Sequence, residues 1–337
     1  MLRIYSGRFL GVIFIFFALF GANFSYAEQV VVYSARIEKL IKPMFDSFTK
    51  ETGISVKFVT DKAGVLLAKL RAEGKYTPAD MLITTDAGNL WEAVQVGLLA
   101  PVESGELEVN IPSYLRDPQK KWFGLSVRAR TIVYNTDKVN PAELSTYEDL
   151  ANSKWQGRLC LRTSKKVYNQ SLVAMMIAEY GKEKTEQIVR GWVANLATDP
   201  LSNDTKAMEF VAAGKCDVTI VNSYYYGRLI EKIPNLPLAI FWPNQDGSGV
   251  HVNISGAGII KNTKNKQSAV MLLEFLSSKT AQRLFTDINM EYPVNPKISP
   301  DSIVAEWGSF KQNKMNVVKA GELQTEAVKL MDRVGYR

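Results

Sequence analysis

Val30-Val31-Val32-Tyr33 is a β-branched run. It is followed by a helical stretch, Lys39 to Thr52, with Leu40, Met44, Phe45 and Phe48 on one stripe, and then by a second short run, Val56 to Thr60. Branching at Cβ favours the pleated backbone, and apolar residues recurring every three to four positions favour an amphipathic helix. The order strand, helix, strand therefore reads as a βαβ unit, which predicts a mostly parallel sheet covered by helices.

The same grammar continues outward. A helix is expected near Val65 to Ala72, a strand at Met81 to Thr84, a helix at Ala87 to Val96 and a strand at Ile132 to Tyr134. A second set begins after Pro141. It has a strand around Leu159 to Leu161, helices at Gln170 to Tyr180, Glu183 to Leu196 and Thr205 to Ala213, and a strand at Val218 to Val221. Two α/β lobes are implied, and 337 residues suit two domains better than one. No Gly/Ser-rich linker separates them, so strands near Leu125 to Arg130 and His251 to Ile254 are expected to cross between lobes that face each other over a cleft. The expected division is 28–127 with 252–300 for the first lobe, and 128–251 with 301–337 for the second. Ligands of open α/β sheets bind beyond the carboxyl ends of strands, so functional side chains are sought there.

The amino terminus sets the compartment. Arg3 and Arg8 precede an apolar run from Phe9 to Ala22, and Ser25-Tyr26-Ala27 offers a small-x-small cleavage signal, so residues 1–27 read as a removed signal peptide. The run is shorter than the roughly 20 residues a membrane-spanning helix needs. Net charge falls from +7 to +5 on removal, and the cations alternate with acids along segments such as Lys261 to Lys279. That pattern argues against nucleic-acid binding and for a solvated surface with some bias toward anions. The two cysteines, Cys160 and Cys216, flank short apolar stretches that could be neighbouring strands, and an oxidising compartment favours a disulfide between them.

Counting removes several enzyme classes. A single histidine, His251, cannot supply a paired-histidine zinc site, and no G-x-S-x-G, Walker A or dinucleotide-binding glycine motif occurs. His251 is expected to be an ordinary, partly exposed residue. A hydrolase using paired carboxylates has only scattered acids such as Asp80 and Asp86 in its favour, and Asp80 is expected to brace a strand end. The informative segment is Val218-Thr219-Ile220-Val221-Asn222-Ser223-Tyr224-Tyr225-Tyr226-Gly227-Arg228, an apolar strand running into three tyrosines. Successive side chains diverge, so at most two of these hydroxyls reach one ligand and the third packs. Tyr33 and Tyr168 sit at comparable strand ends. Several phenols in one cleft suit a hard trivalent cation, because phenolate oxygen is a hard anionic donor; stacking on a sugar or aromatic ligand is the competing use.

The chain resembles the periplasmic ferric-ion-binding proteins, two-lobed class II solute-binding proteins of bacterial iron ABC transporters. The likeness spans essentially the whole mature chain. It is carried by Val32-Tyr33-Ser34-Ala35-Arg36, Pro78-Ala79-Asp80, Arg128-Ala129-Arg130 with Val133-Tyr134-Asn135, Tyr168-Asn169-Gln170-Ser171, Tyr224-Tyr225 with Gly227-Arg228, and Glu291-Tyr292-Pro293-Val294-Asn295-Pro296. The resemblance is closest to the tyrosine-rich branch and implies Fe3+ held by Tyr168, Tyr224 and Tyr225, with Tyr33 structural. Arg128 and Arg228 would stand near the metal or contact a small anion such as carbonate. It further implies a periplasmic monomer that delivers its ion to an inner-membrane ABC transporter permease and catalyses nothing. Where relatives often carry His or Tyr after the Tyr-Ser-x-Arg stretch, this chain has Ile37 and Glu38. Glu38 is a candidate carboxylate ligand, or else only a favourable charge at a helix start. The alternative within binding proteins is a small organic or anionic solute such as a polyamine, thiamine or a phosphonate.

Overall fold

The computed structural model describes residues 28–337; the expected signal segment, 1–27, lies outside the described residues. The chain opens with β1 (Gln29–Ser34), α1 (Glu38–Thr52) and β2 (Ser55–Thr60), then α2 (Ala63–Glu73), β3 (Met81–Thr84) and α3 (Ala87–Gln95). Ile41, Met44, Phe45 and Phe48 form the buried stripe of α1, and Gly53 ends that helix in the left-handed region at φ 77°. Next come β4 (Leu99–Ala100), α4 (Gly105–Asn110) and the long β5 (Phe123–Asn135). The second lobe contributes β6 (Leu159–Cys160), α5 (Val167–Tyr180), α6 (Lys182–Ala194), α7 (Asp204–Ala212), β7 (Val218–Asn222), α8 (Ser223–Lys232) and β8 (Leu238–Phe241). The chain returns through β9 (Val252–Ile260), α9 (Lys266–Ser277), α10 (Lys279–Asn289) and β10 (Tyr292–Pro293). It ends on α11 (Ser302–Ala305), α12 (Lys319–Glu322) and α13 (Gln324–Arg333).

The strand order β2-β1-β3-β9-β5-β7-β6 runs continuously through both lobes. Every residue of β5 is buried. Its first half pairs β9 up to Ala129↔Val252, and its second half pairs β7 from Arg130↔Asn222 onward. The expected mostly parallel sheet is corrected here. Only β1–β2, β1–β3 and β6–β7 are parallel, whereas β5 and β9 pair antiparallel with all their partners. The reason is geometric: β5 and β9 carry the chain across in opposite senses, so each meets its neighbours head to tail.

One apolar core packs around β1, β3 and β9, and two smaller ones pack around β7 and the second half of β5. The segment 301–337, assigned above to one lobe, divides between both. Val304, Val317 and Val318 belong to the first core, whereas Ala327, Leu330, Met331 and Val334 belong to the second. A third crossing therefore lies between α12 and α13. Cys160 and Cys216 form a disulfide, with Cα atoms 5.8 Å apart. Cys160 ends β6, and Cys216 lies two residues before β7, the parallel neighbour of β6.

Candidate functional site

Between the cores lies a cleft of about 410 Å3. The second lobe lines it with Lys165, Lys166 and Tyr168 at the start of α5, and with Tyr224, Tyr225 and Arg228 of α8. The first lobe adds Arg36, Ile37 and Leu40 around the start of α1, Lys62 before α2, Asn89 of α3, and Glu291. Arg128 rises from β5 between the two walls. Helices α1, α2, α5 and α8 all begin at this cleft without a side-chain cap, so positive dipole ends surround it.

The local sequence explains the tyrosines. The fully buried strand β7 runs directly into α8, which places Tyr224 and Tyr225 in the first turn of the helix. Their rings lie 4.4 Å apart between centroids at a tilt of 39°. Asn222 does not cap α8. Its side-chain nitrogen Nδ2 donates to the Tyr224 hydroxyl at 3.3 Å, and its side-chain oxygen Oδ1 accepts from Arg130 Nη1 at 3.1 Å. Tyr226 points away: its hydroxyl donates to the Leu238 carbonyl at 3.2 Å and its ring meets Trp307 edge-on.

Tyr168 is 9% exposed and Tyr224 4%. Burial pushes the Tyr168 phenol upward. Arg128 and Lys166, with the Tyr224 hydroxyl, more than offset that, so it lies below the ordinary phenol value. Three cations face its ring, Lys166 Nζ at 4.8 Å and the guanidinium carbons of Arg128 and Arg162 at 5.4 and 5.6 Å. Burial and the neighbouring tyrosines push Tyr224 well up, and burial with Tyr168 raises Tyr225. Arg128 is 3% exposed and donates to the carbonyls of Thr85 and Ile254. Burial opposes its charge, but Tyr168, Tyr224, Glu291 and Asp86 together hold it firmly protonated. Glu291 is salt-bridged to Arg36 at 3.0 Å and accepts from Ser126. Despite burial, Arg36 and Arg128 keep its carboxyl below the usual range. Six cationic side chains and one carboxylate thus line the cleft beside three phenols, a donor set for a hard cation within surroundings that favour anions.

The family of bacterial extracellular solute-binding proteins matches residues 43–312. The chain belongs to that family. This solute-binding protein is 42% identical to Iron uptake protein A1 of Synechocystis over 316 residues, 92% of this chain and 88% of the relative. A Trichodesmium structure (IdiA, FutA) in complex with iron and citrate ligands is 44% identical and superposes with a TM-score of 0.89, covering 92% of this chain and all of that one. Ferric iron-binding protein A of Mannheimia haemolytica in an open conformation follows at 39% identity and TM-score 0.86, covering 92% and 99%. The α/β, two-lobed class II fold is thereby shown.

Within this solute-binding protein, the other sequence candidates fall elsewhere. Glu38 is exposed, opens α1 as its first-turn acid, and is not among the cleft-lining residues. Tyr33 donates to Glu73 at 3.0 Å, and burial together with that carboxylate pushes its phenol up to about 12. Asp80 accepts from the Val31 amide at 2.8 Å and braces β1 against β3. Asp86 caps α3 and accepts from Ser171 of α5 and Asn253 of β9, so it ties the lobes together. His251 is corrected: it is 5% exposed at the second crossing, and burial with Arg130 lowers its pKa to about 3. Sequence reasoning gave no role to the Arg36–Glu291 pair. Arg36 and Glu291 lie 255 positions apart, and only the return of the chain along β9 and β10 joins them. The Lys165-Lys166 dipeptide just before Tyr168 was a readable signal.

Proposed function

We propose that this protein is a periplasmic carrier of ferric iron that binds the ion through the phenolates of Tyr168, Tyr224 and Tyr225 and delivers it, as a monomer, to the permease of an inner-membrane ABC transporter. The carrying observation is the convergence of those three phenols with Arg128 on one cleft. The names of the relatives, an iron uptake protein and a structure in complex with iron and citrate, support the same cargo. Three phenolates balance the charge of Fe3+, whereas around a ferrous ion they would leave surplus negative charge in a partly desolvated cleft. The lining cations remain in excess once the ferric ion is neutralised, which supports a small anion such as carbonate, held by Arg128 and Arg228, completing the metal's shell. Glu38 has no part in this ligand set. Among the described residues no helix is long and apolar enough to cross a membrane.

Metal analysis and the visible spectrum of protein exported and purified without added iron test the reading. Near-stoichiometric iron with a phenolate-to-iron charge-transfer band is expected. Protein that stays colourless on ferric addition, while an organic solute raises its melting temperature, would overturn it.

A further inference from the structure

Helix α8 carries two of the three phenols and grows from the second lobe, yet its middle rests against the first. A Cβ at Gly227 would stand 2.6 Å from Trp307 Cζ2 and 2.7 Å from Met290 Sδ. Both partners lie with the first core. Gly227 is not among the glycines of positive φ, so space rather than backbone conformation demands glycine there. The Trp307 ring has little room to retreat, since it lies between the edges of Tyr226 and Tyr292, with centroids 6.0 and 6.4 Å away. One residue on, Arg228 Nη2 donates at 3.1 Å to the Asn289 carbonyl, which ends α10 of the first lobe. A cation suits that negative helix end. The same guanidinium lies 4.9 Å over the ring of Tyr224, its neighbour one turn earlier on the helix.

We propose that Gly227 and Arg228 are positioning residues of the iron site. By docking α8 on Met290, Trp307 and Asn289 of the first lobe, they set where the Tyr224 and Tyr225 phenolates stand, so the contact between lobes is part of the metal site's geometry. Arg228 then acts through Tyr224 as well as through its charge. The inference rests on the ferric reading above.

Gly227→Ala is the direct test, made in the full exported protein. A methyl group there meets a confined indole, so α8 must shift. We expect ferric affinity to fall roughly tenfold or more, with a displaced charge-transfer maximum and unchanged far-ultraviolet circular dichroism. Adding Trp307→Leu makes room, and the double variant should regain both the band position and most of the affinity. Wild-type affinity and an unmoved band in Gly227→Ala would overturn the proposal, as would a loss that Trp307→Leu leaves unrescued. If Gly227→Ala does not fold, Trp307→Leu alone probes the contact from the other side. Faster transfer of iron to a competing chelator is then expected, and an unchanged rate would overturn it. A wild-type protein that never takes up ferric iron would sink the ferric reading itself, a result distinct from any of these.

Discussion

The two walls of the cleft use one device, a strand whose carboxyl end turns into a helix, and present different chemistry with it. On the first-lobe wall the turns into α1 and α2 offer Arg36, Ile37 and Lys62, with no phenol. On the second-lobe wall the turns into α5 and α8 offer Tyr168, Tyr224 and Tyr225. The phenols thus come from one wall only, whereas cations come from both: Arg36 and Lys62 from the first lobe, Lys165, Lys166 and Arg228 from the second. Tyr33 sharpens the point. It also lies at a strand end, but its hydroxyl faces Glu73, whereas the ring of Tyr168 faces three cations. A carboxylate neighbour holds a proton on the phenol and cations help it leave.

The largest expected effect breaks the tyrosine wall. Tyr168→Phe, Tyr224→Phe and Tyr225→Phe should each cut ferric affinity at least about 100-fold, since losing a ligand should exceed the 10–100-fold cost of losing a ligand's outer partner. Chelator competition followed in the visible band measures it, and Tyr33→Phe should leave the band in place. A bleached Tyr33→Phe protein alongside a coloured Tyr225→Phe protein would reverse the assignment.

Acid is the next lever. Each ligand phenol must give up a proton to bind, so affinity should fall as pH falls, by about tenfold per pH unit for each proton released. Cations around Tyr168 favour its phenolate, whereas burial holds the proton on Tyr224 and Tyr225. Iron occupancy measured across neutral to mildly acidic buffers checks the fall in affinity; full retention with the fold intact would count against a phenolate site.

The disulfide staples the strands beneath the tyrosine wall. Exported protein alkylated without reductant should show no modified thiol by intact mass. Replacing Cys160 and Cys216 should cost about 2–4 kcal/mol of stability by denaturant unfolding. The smallest effects belong to side chains that miss the cleft. Glu38→Gln should keep colour and affinity, with stability changed by no more than about 0.5 kcal/mol. A large loss of ferric binding in folded Glu38→Gln protein would place the carboxylate on the metal and end the division between the walls. Tyr226→Phe should likewise keep the band, since that hydroxyl bonds Leu238.

Much of this was legible in the chain itself. Apolar periodicity marked most of the main strands and helices to within a few residues, because burying one face imposes a period of its own on each element. The run from Val218 to Arg228 put three tyrosines at a strand's end and allowed at most two of them to face one point; the choice of Tyr224 and Tyr225 came from the family resemblance. What only the tertiary structure decided are the meetings of distant residues. These are the antiparallel entry of β5 and β9, the split of the last 37 residues between two cores, the burial of His251, the Arg36–Glu291 pair, and the seat of Gly227 on Trp307. Local pattern reports which face of an element is apolar. It carries no record of which other face, hundreds of residues away, will come to cover it, and the crossings between lobes are where that choice is made.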